Sequence, residues 1–144
     1  LVGFFEDEYK EQVKELEKHS IAHFYGFQSD PRPFYIEADC VVLPSYHEGM
    51  SNVLLEAAAT GRPVVTSNIP GCRESVENGK SGLLVEVKNK EMLYDAMKEM
   101  LHCSREEREQ MGQAGREKME REFRKEVVVE KTVQSLRGDE KRDF

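Results

Sequence analysis

The amino-acid sequence predicts an α/β domain in which helices cover both faces of a parallel sheet. Short apolar runs alternate along the chain with longer amphipathic segments, which is typical of strand–helix–strand units. The run Cys40-Val41-Val42-Leu43 has no polar side chain apart from its thiol and is followed by Pro44, which indicates a strand buried on both faces. A chain of 144 residues is long enough for one domain with its own hydrophobic core.

The first part of the chain is predicted to hold two strands and two helices before the run at Cys40. In chain order these are a strand at residues 1–5, a helix at residues 8–18, a strand at residues 22–25 and a short helix at residues 34–38. The second strand is ended by Gly26, and the segment Asp30-Pro31-Arg32-Pro33 breaks the chain before the short helix.

The second part is predicted to hold one helix between strands and then three consecutive helices. Ser51 is a suitable N-cap for the first helix, and Gly61 suits the left-handed position after its end. The predicted elements are a helix at residues 51–60, strands at 64–66 and 83–85, and helices at 90–102, 105–122 and 125–136. Residues 1–136 would form the domain, and the charged residues 137–144 a frayed tail.

Composition limits the classes of partner. The formal net charge of −7 argues against nucleic acid, because a phosphate backbone requires a basic face. No apolar run approaches the roughly 20 residues that span a bilayer. The three cysteines are far apart in the chain and have no metal-ligand spacing, as expected of reduced thiols. These features predict a cytoplasmic protein without a disulfide framework or a metal site.

The segment between Pro44 and Glu56 carries the strongest functional signal. It leaves the carboxyl end of a buried strand, where ligands bind in open α/β sheets, and enters a helix at its N-terminus. The amides of the first helical turn have no acceptor within the helix, so they can hold a phosphate or a sugar hydroxyl. Gly49 would allow a ligand to approach the backbone closely.

Two carboxylates flank this amide end. Glu48 precedes the helix, and Glu56 lies about 8 Å along the helix axis from Ser51. A carboxylate accepts hydrogen bonds, so one glutamate could hold sugar hydroxyls and the other a ribose diol, with a diphosphate near the amides between them. Two glutamates eight residues apart are also a common accident in a chain this rich in glutamate, and the pair gains meaning only from its place after a buried strand.

Residues 38–71, ADCVVLPSYHEGMSNVLLEAAATGRPVVTSNIPG, resemble the core motif of the group 1 (family 4) glycosyltransferases of the GT-B fold. Glu48 and Glu56 match the Glu-x7-Glu motif of that family, and the similarity extends over residues 1–136. The resemblance implies the Rossmann-like C-terminal half of a GT-B enzyme, of the type that builds bacterial polysaccharides. It further implies retaining, metal-independent transfer of a hexosyl or N-acetylhexosaminyl group from a nucleotide sugar, with UDP the expected nucleotide.

The resemblance also implies roles for individual residues. Glu48 would contact the donor sugar as the catalytic residue, and Glu56 would contact the ribose. The backbone around Gly26 and Phe27 would contact the base, although Phe27 could equally belong to the core. The amides expected to meet the sugar and the diphosphate are those of Gly49, Met50, Ser51, Asn52 and Val53. No cofactor is expected beyond the nucleotide sugar, which is a substrate.

The departures from the family pattern predict an incomplete enzyme. The first strand of the domain and the N-terminal domain that binds most of the acceptor have no match in this sequence, so the 144-residue chain is expected to be inactive alone. The implied partners are a glycan or lipid-linked acceptor and the missing N-terminal domain. Self-association and peripheral attachment to the inner face of the membrane are further expectations. The alternative is a non-catalytic nucleotide-sugar-binding or interaction module.

Overall fold

The computed structural model describes residues 1–4 and 7–139. The chain divides into two compact units, Leu1–Phe34 and Tyr35–Phe144.

The first unit is built on one helix and a short backbone pairing. A 3₁₀ turn at Asp7–Tyr9 leads into α1 (Lys10–Lys18), none of whose residues is buried. The backbone of residues 1–3 hydrogen-bonds to that of residues 23–26: the Tyr25 amide donates to the Leu1 carbonyl and the Gly3 amide to the Gly26 carbonyl, each at 2.9 Å.

The strands predicted at residues 1–5 and 22–25 are wrong for the residues that the structure describes, and Phe5 lies outside them. The glycines that end this short pairing have positive φ angles, +128° at Gly3 and +69° at Gly26. Positive φ interrupts the extended conformation that a regular ladder requires.

The second unit contains a three-stranded parallel sheet. Its strands are β1 (Val41–Leu43), β2 (Val64–Ser67) and β3 (Gly82–Val85), in the order β1-β2-β3. The register pairs Val42 with Val65 and Val65 with Leu83. The predicted α/β class and parallel sheet are confirmed. The predicted burial of the first run on both faces is wrong, because β1 is an edge strand of this sheet and Val42 keeps 36% of its surface exposed.

Side-chain alternation along the strands creates a hydrophobic core on each face of the sheet. In β2, which is fully buried, Val64 and Val65 point to opposite cores. On one face α2 (Arg32–Glu37) and α3 (Asn52–Ala59) contribute Tyr35, Leu54 and Ala57. On the other, α4 (Lys90–His102) contributes Ala96 and Met100. Helices on both faces are therefore confirmed.

The remaining helices match the predicted bounds closely. α4 and α5 (Arg105–Glu122) have the predicted limits, whereas α6 (Lys125–Asp139) continues three residues into the predicted tail. The rest of that tail lies outside the described residues. α5 packs on α3, and a Cβ added at Gly112 would stand 1.9 Å from the Gly61 carbonyl oxygen. Within residues 1–4 and 7–139, no helix is long and apolar enough to cross a membrane.

Candidate functional site

The loop between β1 and α3 starts at the carboxyl edge of the sheet. The Thr66 hydroxyl in β2 donates a hydrogen bond of 2.7 Å to the Leu43 carbonyl, the last of β1. Thr66 is fully buried. This hydrogen bond to the neighbouring strand therefore fixes the position at which the loop leaves the sheet.

Ser51 is the N-cap of α3, as predicted, but its side chain does not cap the helix. Its backbone is extended, its surface is 3% exposed, and its hydroxyl makes no capping hydrogen bond. The Ser51 amide donates to the Gly71 carbonyl at 3.0 Å, so the predicted set of ligand-binding amides loses one member. Helix geometry leaves the amides of Asn52, Val53 and Leu54 without an acceptor inside the helix.

Gly71, in the loop after β2, is the residue whose carbonyl accepts from the Ser51 amide. Its φ angle is +87°, and a Cβ added there would stand 1.4 Å from the Gly49 carbonyl oxygen and 2.8 Å from that of Glu48. Only a glycine allows the two loops to approach this closely. Gly71 therefore lies in a turn that packs directly on the loop that carries Glu48.

The loop after β2 is itself ordered by a carboxylate. Glu74 accepts a hydrogen bond of 2.7 Å from the Gly71 amide. Its own backbone amide, the Gly71 amide and the neighbouring Arg73 guanidinium together hold the pKa of Glu74 below its usual value. The carboxylate is therefore ionised at neutral pH and fixes the amide of Gly71, the residue whose carbonyl accepts from the Ser51 amide.

Glu48 is oriented by a hydroxyl from its own loop. The Ser45 hydroxyl donates a hydrogen bond of 2.8 Å to Oε1 of Glu48, which is half-buried. A carboxylate offers about four acceptor positions, so this bond leaves Oε2 and part of Oε1 for a ligand. The spacing Ser45-x-x-Glu48 was visible in the sequence, but nothing in it specified the bond.

Glu56 is oriented in the same manner by a residue that sequence reasoning missed. The Tyr35 hydroxyl donates a hydrogen bond of 3.0 Å to Oε2 of Glu56. Burial, together with the hydrogen bond and the negative charge of Glu56, raises the pKa of Tyr35 to about 12, so the phenol stays a donor. Tyr35 precedes Glu56 by 21 residues, and no sequence signal links the two.

Glu56 also borders a cleft between α3 and the end of α5. Leu55, Met119 and Phe123 provide the apolar part of its wall, and Arg116 and Arg124 provide cations. Glu48 is not among the residues that line this cleft. The two glutamates therefore do not share this cleft, and the predicted binding of one donor by both of them stays a prediction.

Gly26 and Phe27, the predicted base-binding residues, belong to the first unit. The Phe27 ring is 63% exposed and stacks on Phe4, with ring centroids 5.1 Å apart and an angle of 12° between the planes. The alternative that Phe27 is a core residue is therefore wrong. The pair presents an exposed aromatic face that a base could stack on.

An open parallel sheet with helices on both faces, and a helix that begins beyond its carboxyl edge, define the Rossmann-like class of α/β domains. The pattern that defines the family "Glycosyl transferases group 1" matches residues 1–118. The chain belongs to this family of glycosyltransferases, as the resemblance predicted.

Known proteins agree with this assignment. The chain is 32% identical over 102 residues to the capsular polysaccharide biosynthesis glycosyltransferase CapM of Staphylococcus aureus, covering 71% of this chain and 27% of CapM. It is 38% identical over 93 residues to a GDP-mannose-dependent alpha-(1-6)-phosphatidylinositol monomannoside mannosyltransferase of Mycobacterium tuberculosis, covering 65% of this chain and 24% of that enzyme. This chain thus spans about a quarter of the length of these relatives.

The fold agrees as well. The crystal structure of Anabaena Alr3699/HepE in complex with UDP superimposes with a TM-score of 0.79 at 22% identity, covering 96% of this chain and 40% of HepE. At this identity the likeness establishes the fold, which is that of GT-B glycosyltransferases.

Proposed function

We propose that this chain is the donor-binding part of a retaining, metal-independent glycosyltransferase. The enzyme transfers a hexosyl or N-acetylhexosaminyl group from a nucleotide sugar, with UDP as the nucleotide, to a glycan or lipid-linked acceptor. The observation that carries the proposal is the start of α3. Its amides at Asn52, Val53 and Leu54 have no acceptor in the helix, and the buried Ser51 hydroxyl makes no capping bond.

The two glutamates that flank the start of α3 support the assignment of the sugar, the ribose and the diphosphate of the donor to different residues. Each carboxylate is held by one hydroxyl, Glu48 by Ser45 and Glu56 by Tyr35, and each keeps acceptor positions for a ligand. Glu48 would accept bonds from hydroxyls of the transferred sugar, and Glu56 from the ribose diol. The diphosphate would meet the amides and the positive end of the helix dipole.

The chemistry then follows from where charge develops. The acceptor hydroxyl oxygen bonds to the anomeric carbon as the bond from that carbon to the diphosphate breaks, and the hydroxyl proton passes to the leaving diphosphate. During this exchange negative charge grows on the diphosphate and positive charge on the sugar ring. Preorganised amides stabilise the first, and the Glu48 carboxylate stabilises the second. No general base is assigned to Glu48.

The donor and acceptor classes are supported by relatives. HepE was solved with UDP and with UDP-glucose, and CapM acts in capsular polysaccharide biosynthesis, whereas the mycobacterial relative uses GDP-mannose. UDP is therefore tested against GDP and ADP. Because the chain spans about a quarter of these relatives, we expect it to bind the donor weakly and to release no UDP from UDP-sugars by itself.

The decisive experiment titrates UDP, GDP and ADP, and then their glucose, mannose and N-acetylglucosamine derivatives, against the isotope-labelled chain by NMR. We expect UDP to shift the amide signals of Met50, Asn52 and Val53. The variant Glu56→Gln should weaken UDP binding about tenfold, as expected for loss of a charge-assisted bond to the ribose. The matched control is Glu99→Gln, which removes an exposed carboxylate from α4.

If nucleotides bind but none of them shifts a signal from residues 48–56, the proposal is overturned. Equal UDP affinities of Glu56→Gln and Glu99→Gln would overturn it as well. Metal independence and retention are tested on the full-length enzyme. Turnover in excess EDTA should equal turnover without it, and the anomeric proton signal of the product should have the configuration of the donor.

A further inference from the structure

A second cleft lies at the carboxyl edge of the same sheet, between the loop after β1 and the start of α4. We propose that this α4 cleft, defined by Tyr46, Ser67, Glu86, Lys88 and Lys90, binds a phosphate group of the acceptor. The identity of the ligand as the acceptor depends on the proposed glycosyl transfer, whereas the binding of a phosphate does not.

The location of the α4 cleft connects it with the reaction. Its wall takes one segment from the end of each strand: Pro44 and Tyr46 after β1, Ser67 at the end of β2, and Val85 and Glu86 at the end of β3. Tyr46 precedes Glu48 by two residues. A ligand in the α4 cleft would therefore lie near the loop that carries the proposed sugar-binding carboxylate, without occupying the start of α3.

The first indication of a ligand is the Ser67 side chain. Ser67 is 1% exposed and lines the α4 cleft, and no hydrogen bond involves its hydroxyl in the part of the chain that the structure describes. Hydroxyl groups in such enclosed positions normally have an acceptor or an ordered water. Here the hydroxyl is available to donate to an oxygen atom of a ligand.

The second indication is the start of α4, a helix of 13 residues whose N-cap Asn89 and first residue Lys90 line the same cleft. Asn89 caps the helix by accepting a bond of 2.9 Å from the Met92 amide. The amides of Lys90 and Glu91 still have no acceptor in the helix, and they carry the positive end of its dipole.

The third indication is a lysine in an unusual conformation. Lys88 has a φ angle of +63°, in the left-handed region that residues other than glycine seldom adopt. Its Nζ lies 5.6 Å from the centre of the Tyr46 ring, a cation–π contact between two residues that both line the cleft. Glu86 is the one acidic residue of the lining and accepts a bond of 3.2 Å from the Asn89 side-chain amide.

These groups fit a phosphate. The hydroxyl, the two ammonium groups and the amides are all donors, and the two lysines outnumber the single glutamate. The volume of the cleft is about 240 Å³. That is smaller than the roughly 300–1,000 Å³ of pockets that enclose whole drug-sized ligands. The α4 cleft therefore suits one anionic group of a larger molecule.

The test uses glycerol 3-phosphate as the probe and glycerol as its neutral counterpart, titrated against the labelled chain by NMR. We expect glycerol 3-phosphate to shift the amide signals of Ser67 and of residues 88–91, and glycerol to leave them unchanged. Lys88→Asn should weaken the binding about tenfold, because it removes one charge-assisted contact. Asparagine tolerates the left-handed conformation, so this variant is expected to fold.

Ser67→Ala provides a second variant that keeps the charge and is expected to weaken binding to a smaller extent. The matched control is Lys98→Gln, because Lys98 makes a similar contact with Tyr94, 5.9 Å from the ring centre, but does not line the α4 cleft. Equal affinities in the Lys88 and Lys98 variants, or shifts produced equally by glycerol, would overturn the proposal.

Two further arms identify the source of the phosphate. Vesicles of phosphatidylglycerol, compared with phosphatidylcholine, test a lipid headgroup, while glycerol 3-phosphate tests a free ester; binding in either arm supports the proposal. Shifts of residues 88–91 by UDP that compete with glycerol 3-phosphate would overturn the acceptor assignment, because the cleft would then bind the donor. If UDP produces no shift anywhere but glycerol 3-phosphate still binds, the donor site fails and the phosphate site remains.

Discussion

Helices α3 and α5 both begin after a serine, yet the two N-termini are built differently. Ser104 accepts a bond from the Glu107 amide, and the Glu107 carboxylate accepts one of 2.7 Å from the Ser104 amide, so the two residues form a capping box. Ser51 makes no such bond, and its amide is paired with a carbonyl of another loop.

The difference arises three residues after each serine. Glu107 can fold back on Ser104, whereas Leu54 is completely buried in the core and has no polar group to offer. The start of α5 is therefore satisfied locally and contributes stability. The start of α3 leaves the amides of Asn52, Val53 and Leu54 without a local cap, and under the proposed function these amides and the Ser51 hydroxyl serve the donor. Four predictions test this contrast, beginning with the one of largest effect.

The start of α3 depends on the close contact at Gly71. Gly71→Ala places a methyl group against the Gly49 carbonyl in a conformation that alanine disfavours, so we expect a loss of more than about 4 kcal/mol in the free energy of unfolding. Chemical denaturation measures it. The control is Gly79→Ala, which has a similar φ angle of +76° but nothing within 4 Å of the added Cβ. Similar losses in both variants would show that the contact is not needed.

Removing each serine hydroxyl compares the two helix starts directly. Ser104→Ala should lower the free energy of unfolding by about 1 kcal/mol, because it breaks the capping box. Ser51→Ala should change it by less than about 0.5 kcal/mol and should instead weaken UDP binding. Denaturation and NMR titration of both variants measure the two quantities. The contrast is lost if Ser51→Ala destabilises the chain as much as Ser104→Ala does.

Loss of the Tyr35 hydroxyl should weaken UDP binding while leaving the carboxylate in place. In Tyr35→Phe, the Glu56 carboxylate loses the one side-chain hydrogen bond that it makes among the described residues. We expect UDP affinity to fall by about threefold, less than in Glu56→Gln, because the carboxylate and its charge remain and only its orientation is lost. A UDP titration of this variant is compared with that of Glu56→Gln. Unchanged affinity would mean that Tyr35 does not orient the carboxylate.

The capping box of α5 should give a small dependence of stability on acid. The hydrogen bonds from the Ser104 amide and hydroxyl hold the pKa of Glu107 below its usual value of 4.5. Since the folded-state pKa is the lower one, the contribution is complete above about pH 4.5 and is lost as the pH falls through the folded-state pKa. The difference in Tm between the wild type and Glu107→Gln should therefore shrink between pH 6 and pH 3. A constant difference would contradict it.

The accuracy of the sequence-based predictions differs between the two parts of the chain. The bounds of α4 and α5 were predicted correctly, since their amphipathic periodicity and their caps at Asn89 and Ser104 are local signals. The strands at residues 1–5 and 22–25 were wrong where the structure describes them. Short apolar runs do not reveal whether a partner strand and regular φ angles are available.

In the candidate site, too, some features could be predicted from the sequence and others could not. The sequence by itself determined the positions of Glu48, Ser51 and Glu56, because the order of strand, loop and helix places them at the carboxyl edge of a sheet. Only the tertiary structure decided that Tyr35 holds Glu56 and that Gly71 takes the Ser51 amide. Those contacts join residues about 20 positions apart, and their geometry depends on how α2 and the loop after β2 pack around α3.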